Sequence, residues 1–368
     1  MDDRLLVATR KGLFTYLRDA DGAWREARQD FLGEPVNMVL PDARDDTLYA
    51  ALDLGHFGCK LWRRHADGEW EECAVPVYPP QPDPLPTPAE GDAPQAPWSL
   101  QLIWCLETGG TEQCGTLWAG TIPGGLFRSD DRGASWSFNR PLWDRPERAR
   151  WFGGGYDWPG IHSVSVDPRD SSHLTVGVSC GGVWQSHDAG ANWVNTTRGM
   201  YADYMPPELR EEGAIQDPHR LVHCPAQPER LWVQHHNGIF VSSDGGQNWQ
   251  DVPAQPSSFG FAVAVHPTRP DTAWFAPATK DACRVPVAGR FLVNRTRDGG
   301  KTFEALDRGL PESPCYDLIY RHGLAVDDDG ERLALGSTTG GLWLSEDGGD
   351  HWKCLSAHLP PIYCVRFG

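Results

Sequence analysis

Short apolar runs alternate along this chain with Gly-rich and polar breaks, and the runs are too short for helices. Leu117-Trp118-Ala119-Gly120 leads to Gly125-Leu126-Phe127, and Leu174-Thr175-Val176 to Gly182-Val183-Trp184. Leu231-Trp232-Val233 leads in the same way to Gly238-Ile239-Phe240, and Leu333-Ala334-Leu335 to Gly341-Leu342-Trp343. Two β-rich runs joined by a Gly-bearing loop predict a hairpin. Further runs ending near Pro, at His162–Pro168, His219–Pro225 and Phe261–Pro267, add a strand before the hairpins.

A fourth strand follows from a pattern present in five copies. These are Ser129-x-Asp131-x-Gly133-x-x-Trp136, Ser186-x-Asp188-x-Gly190-x-x-Trp193, Ser242-x-Asp244-x-Gly246-x-x-Trp249, Thr296-x-Asp298-x-Gly300-x-x-Phe303 and Ser345-x-Asp347-x-Gly349-x-x-Trp352. The terminal aromatics fall 57, 56, 54 and 49 residues apart, a period that suits a repeated four-stranded unit. A hydroxyl and a carboxylate two residues apart can accept the backbone N–H groups of a tight turn, and the Gly permits positive φ. The aromatic then opens the next strand and fills the space between neighbouring sheets.

This pattern resembles the Asp box of the sialidase-like, BNR-repeat propellers. The resemblance implies a box between the third and fourth strands of each blade, on the face away from the binding site. It makes Asp131, Asp188, Asp244, Asp298 and Asp347 structural rather than catalytic.

Two degenerate copies precede the five, ending at Asp21-Gly22-x-Trp24 and Asp67-Gly68-x-Trp70. The chain closes with Ile362-Tyr363-Cys364-Val365-Arg366-Phe367-Gly368, an innermost strand without a blade, whereas Arg4 to Trp24 is a blade lacking one. Joining them closes a ring and removes its open edges. The expected fold is all-β, a single seven-bladed β-propeller over 1–368, with blades near 362–368 plus 1–33, 34–75, 98–140, 161–197, 218–255, 259–307 and 320–356.

Seventeen Trp and forty Gly suit many short strands with tight turns and aromatic seams. No apolar run approaches a membrane-spanning helix. Met1-Asp2-Asp3-Arg4 shows no basic region followed by an apolar stretch. The ten cysteines have no CxxC spacing and read as reduced core residues, so a cytoplasmic location is expected. A net charge of −17 disfavours nucleic acid and anionic membrane as partners, while leaving a small anion or glycan in a locally basic funnel open. Oligomeric state is left open.

Three long inserts, Val75–Trp98 (proline-dense), Asn139–Gly160 and Thr196–Pro218, join outer strands to the next inner strand and share one face. Counting back from Pro168 and Pro225 puts His162 and His219 in one register at the start of the inner strands. Phe261 and Tyr363 take the same place, as does His322 if Val326 matches Val166. Loops joining second to third strands reach this face with Arg10-Lys11, His56, His235-His236 and Lys280-Asp281. A funnel lined by His56, His162, His219, His235, His236 and His322, with Arg10, Lys11 and Arg321 nearby, is the expected site.

That cluster supports three readings: histidines satisfying a wet channel mouth, an anion or carbohydrate site with proton transfer by His or Asp, and a metal held by His162, His219 and His235 or His236. No cofactor is required by the sequence. The resemblance implies a glycoside hydrolase, yet the Arg-Ile-Pro segment of sialidases has no copy here and no Tyr–Glu pair can be placed. Arg10 and Arg321 stand as candidate arginines, and Tyr156, Tyr201 and Tyr316 as candidate tyrosines. Another glycosidase needs two carboxylates, for which Glu34, Glu107, Asp157, Asp217 and Asp281 are candidates. Asp157 comes first, with His162 and His219 as proton-transfer groups, because Tyr156 and Trp158 beside it can stack on a sugar. The rival readings are a non-catalytic propeller that binds proteins or assists assembly, with the proline-dense insert as a docking arm, and a metal-dependent hydrolase or lactonase.

Overall fold

The computed structural model describes residues 3–66, 68–83, 89 and 91–368. Met1, Asp2, Asp67 of the second degenerate turn, and residues 84–88 and 90 of the proline-dense insert lie outside the described residues. Among the described residues, twenty-eight strands pair in chain order into seven four-stranded antiparallel sheets, the blades of a β-propeller.

The first blade is built from both ends of the chain. Ile362–Phe367 is its innermost strand, followed outward by Arg4–Thr9, Gly12–Arg18 and Trp24–Asp30. Leu5 faces Phe367 and Val7 faces Val365, so the ring is latched by strand pairing. The inner strands of blades two to seven are Val36–Asp42, Leu102–Thr108, Gly160–Asp167, Pro218–Cys224, Gly260–Val265 and Leu324–Val326. No helix among the described residues is long and apolar enough to cross a membrane. All ten cysteines are unpaired thiols.

The apolar core is a ring of seams between sheets. Trp118, Trp184, Trp232 and Trp274 are fully buried, and one cluster runs through residues of blades one, two and three together. Burying aromatics of this size between neighbours makes each blade depend on the next.

The five repeated turns connect third to fourth strands, at the end of the blade where the inner strand finishes. In each, the Ser or Thr hydroxyl accepts the Gly N–H, at 2.9 Å for Ser242 and Gly246, and donates to the Asp, at 2.8 Å for Asp244. The Asp then accepts the backbone N–H four residues on, at 3.0 Å from Asn248. One element escaped the sequence reading: the residue before the aromatic also bonds the carboxylate through its side chain. Ser135, Asn192, Asn248, Thr302 and His351 all do so. The Gly requirement is strict at Gly300, where φ is +89° and an added Cβ would lie 2.9 Å from Val252. The closing aromatic grips the preceding blade, Trp136 through the Ala74 carbonyl and Trp249 through that of Thr196. In the first degenerate turn Asp19, not Asp21, accepts the turn N–H groups, from Asp21 and Ala23.

Six inner strands share an irregularity at the same level. Pairing with the second strand skips Asn37, Trp104, His162, His219, Phe261 with Ala262, and Tyr363. A bulge of this kind kinks the strand and re-aims the extra residue. Six of the seven blades thus carry a bulge at the loop-face end of the inner strand.

The proline-dense insert is not a free arm. Tyr78 is buried against Phe127, Phe138 and Trp143. Its hydroxyl bonds Thr121 at 2.6 Å and accepts the Gly125 N–H at 3.1 Å. Trp98 packs edge-on against Trp143, and Ala93 N–H donates to the Ala149 carbonyl, so the first two inserts hold each other.

Candidate functional site

Where the bulged residues meet the long loops, the channel opens into a cavity of about 370 Å³. Its wall comes from inner-strand bulges (Asn37, Trp104, Tyr363), the segment before the seventh inner strand (Tyr320, Arg321, His322), the second insert (Gly155, Tyr156) and loop ends (Pro35, Asp53, Leu102, Arg284). Trp104 and Tyr156 meet edge to face at 5.1 Å, and Tyr320 and Phe261 at 4.9 Å. His322 also lines a second cavity of about 310 Å³ at the far mouth, with Glu107, Arg220, His223 and Arg366, so it sits at the waist of the channel.

Arg321 is the notable group of the upper cavity. It is 7% exposed, and its guanidinium lies 4.6 Å from the Trp104 ring centre and 5.7 Å from that of Phe261. Among the described residues it forms no ion pair, and its buried Nε has no hydrogen-bond partner. Burial pushes its pKa down, with Asp217 and Tyr156 opposing, but an arginine stays charged there. Arg284 is satisfied by comparison, bonded to Asp281 at 2.5 Å.

Five of the six predicted histidines separate into three groups. Of the predicted histidines His322 lines the upper cavity, and among the described residues neither of its ring nitrogens has a hydrogen-bond partner. His162 and His235 are buried behind the wall with both ring nitrogens engaged. His162 meets the Pro218 carbonyl at 2.6 Å and Ser163 Oγ at 2.9 Å. His235 faces the backbone N–H groups of Asp217 at 3.0 Å and Asn237 at 3.1 Å, and burial pushes it down to about 3. The expected metal set containing either one is therefore corrected, because their ring nitrogens are turned to Pro218, Ser163 and backbone N–H groups and lie outside the cluster that converges. His219 and His236 do converge, but on Asp217, which takes the place of the third histidine.

Other expected residues scatter. Arg10, Lys11 and His56 are exposed and line neither channel cavity; the His56 ring rests on Phe57 at 3.9 Å. Asp157 is exposed and outside the cavity, whereas Trp158 is half-buried against Leu102, Trp104 and Ile122. Glu34 is exposed, and Glu107 belongs to the far mouth rather than the loop face, because its inner strand runs across the channel from Leu102 to Thr108. Tyr201 bonds Asp251 at 2.6 Å and Tyr316 lines a separate side pocket. Tyr156 alone of the three candidate tyrosines reaches the upper cavity.

Asn37, Trp104, Asp53, Arg284 and Tyr320 were missed. Asn37 was within reach of the register argument, since it stands five residues before Asp42 as His162 stands five before Asp167. Those two aspartates play one part, each clasping the arginine two residues on.

Behind the cavity, Asp217 is 4% exposed. Its Oδ1 accepts from Ser179 Oγ and from Cys180 N–H, both at 3.1 Å. Its Oδ2 lies 3.3 Å from His219 Nε2 and 3.5 Å from His236 Nδ1. The Gly153–Gly155 loop crosses directly above: a Cβ on Gly154 would lie 2.6 Å from Cys180 Sγ and 3.3 Å from Asp217 Oδ2.

No family model matches this chain. It is 25% identical over 254 residues to a xyloglucanase of Acetivibrio thermocellus, a match covering 62% of this chain and 28% of that enzyme. The chain thus spans under a third of the length of that relative. Among solved structures it superposes on the GH74 xyloglucanase from Xanthomonas campestris with a TM-score of 0.63 at 19% identity, covering 100% of this chain and 52% of that one. It also superposes on YCF48 bound to D1 peptide, with a TM-score of 0.56 at 15% identity, covering 94% and 90%. The chain is a seven-bladed propeller whose relatives include enzymes named for a glycan.

Proposed function

We propose that the loop-face cavity binds an acidic sugar, meaning a carbohydrate unit carrying a carboxylate. The observation that carries this reading is Arg321, a buried cation cupped by Trp104 and Phe261 that forms no direct ion pair among the described residues. A guanidinium in that setting matches a carboxylate bidentately, and the aromatic walls at Trp104, Tyr156, Tyr320 and Tyr363 suit the faces of a sugar ring. The xyloglucanase relatives put carbohydrate ahead of other organic anions. The reading is of binding rather than cleavage. Glycosidases use two carboxylates, and Asp53 alone among the lining residues supplies one.

Calorimetric titration with glucuronate, galacturonate and glucose tests it. The uronates should bind and glucose should bind more weakly. Losing one charge-assisted contact of about 1.5–3 kcal/mol in Arg321→Gln should weaken uronate binding by roughly 10–100-fold. Equal affinity for charged and neutral sugars, or an Arg321→Gln variant that binds uronate as before, would overturn the proposal.

A further inference from the structure

We propose that Asp217, His219 and His236 form a binding site for a single divalent transition-metal ion of the zinc class. The three side chains offer donor atoms that all lie within 4.8 Å of one another. Two bonds of about 2.0–2.1 Å meeting at a tetrahedral angle put their donor atoms roughly 3.3–3.4 Å apart. The separations from Asp217 Oδ2, 3.3 Å to His219 Nε2 and 3.5 Å to His236 Nδ1, are of that size. Neither is the length of a good hydrogen bond between a charged pair.

Tautomer chemistry supplies an independent reason. His219 Nδ1 lies 2.6 Å from the Gly260 carbonyl, which can only accept, so Nδ1 carries the hydrogen. The neutral ring then points the lone pair of Nε2 at Asp217 Oδ2, another lone-pair atom, in a place where His219 is 3% exposed. Two acceptors facing each other in a dry site repel unless something positive lies between them. A second proton on His219 would serve only by creating a buried imidazolium. A metal ion is held by just this pair of lone pairs.

The surroundings orient the donors as metal ligands are oriented. Gly260 fixes the tautomer of His219, and Ser179 and Cys180 occupy Oδ1 of Asp217, leaving Oδ2 free to bind through one oxygen. His235 bonds the Asp217 backbone N–H, and Tyr204 abuts the His236 ring at 4.8 Å. His236 is partly exposed, giving the ion a route in and a side for water. Three protein ligands of this composition leave a coordination position open. The site is separate from the acidic-sugar reading, which rests on Arg321.

The test uses the full chain, stripped with a chelator and then dialysed against zinc or cobalt(II). Mass spectrometric metal analysis should find about one ion per chain, and cobalt should give the intense visible bands of tetrahedral coordination. His236→Ala and Asp217→Asn should each weaken zinc affinity by at least about tenfold, while His358→Ala, at an exposed position, should not. His236 is only partly buried, so its variant should fold even if Asp217→Asn does not. Failure of the wild-type chain to take up metal would overturn the proposal, as would uptake unchanged in His236→Ala.

Discussion

A single hydroxyl organises each repeated turn, and this decides how the recurring Ser-x-Asp and Thr-x-Asp pairs of the chain act. Ser242 Oγ is buried and does three things at once: it accepts the Gly246 N–H and the Asp244 N–H and donates to the Asp244 carboxylate. Asp244 sits outside it, more exposed, and ties down Asn248 by backbone and side chain. Removing the inner group strands a buried donor, whereas removing the outer one exposes donors to water, which can replace it. Ser242→Ala should therefore cost about 1–3 kcal/mol, and Asp244→Ala less, read from urea unfolding midpoints. Neither should change ligand binding at the other end of the blade. An Asp244→Ala variant of full stability that has lost uronate binding would contradict the structural role of these carboxylates.

Elements, rather than residues, account for what the sequence revealed and what it hid. Strands, hairpins and turns were legible because each has a local cause: alternating apolar runs, Gly at a left-handed turn position, an aromatic opening the outer strand. The ring closure was legible because an orphan strand at Ile362–Phe367 matched a missing one at Arg4–Thr9. The bulge was not legible, since it is a relation between two strands and leaves no residue preference; His162 and His219 were found by register, while Asn37 and Trp104 were passed over. Burial of a histidine was equally invisible, so His162 and His235 were read as ligands when they hold backbone. The proline-dense insert misled for a similar reason. Its composition is that of an arm, but Tyr78 anchors it through a hydroxyl buried under Trp143. Tyr78→Phe removes that hydroxyl and its buried bonds to Thr121 and Gly125, and should destabilise the protein by about 1–3 kcal/mol. Hydrogen exchange should rise over residues 75–83 and 91–98 before it rises in the blades; uniform protection across them would mean the anchor holds nothing.

Across the whole molecule, an acidic chain encloses channel histidines set beside arginines, and the two make opposite demands on pH. The chain carries −17 overall, a field that favours taking up protons. Along the channel, however, burial and the charges of Arg220, Arg366 and Arg321 push His322 well below its usual range, and burial with Arg321 and Arg220 does the same to His162. His223 at the far mouth is pushed by burial down to about 4. The near contacts win over the distant field, because the arginines act at short range whereas the surface charge is screened by salt. In the unfolded chain these histidines protonate near 6.5, before the folded protein can follow. The unfolded state then binds more protons than the native one, and stability falls as pH falls. Stability should be level above about pH 7 and drop between roughly 6.5 and 4, by up to about 1.4 kcal/mol per pH unit for each histidine that must remain neutral. The turn carboxylates add a second, lower window: Asp298, held down to about 2 by Thr302, loses its contribution only below the ordinary aspartate range. Thermal melts at fixed ionic strength, on chelator-treated protein, check the order of these windows. His322→Asn removes one titrating group and should flatten the upper slope; a melting temperature that rises on going from pH 6.5 to 5 would show the surface charge, not the channel, in control.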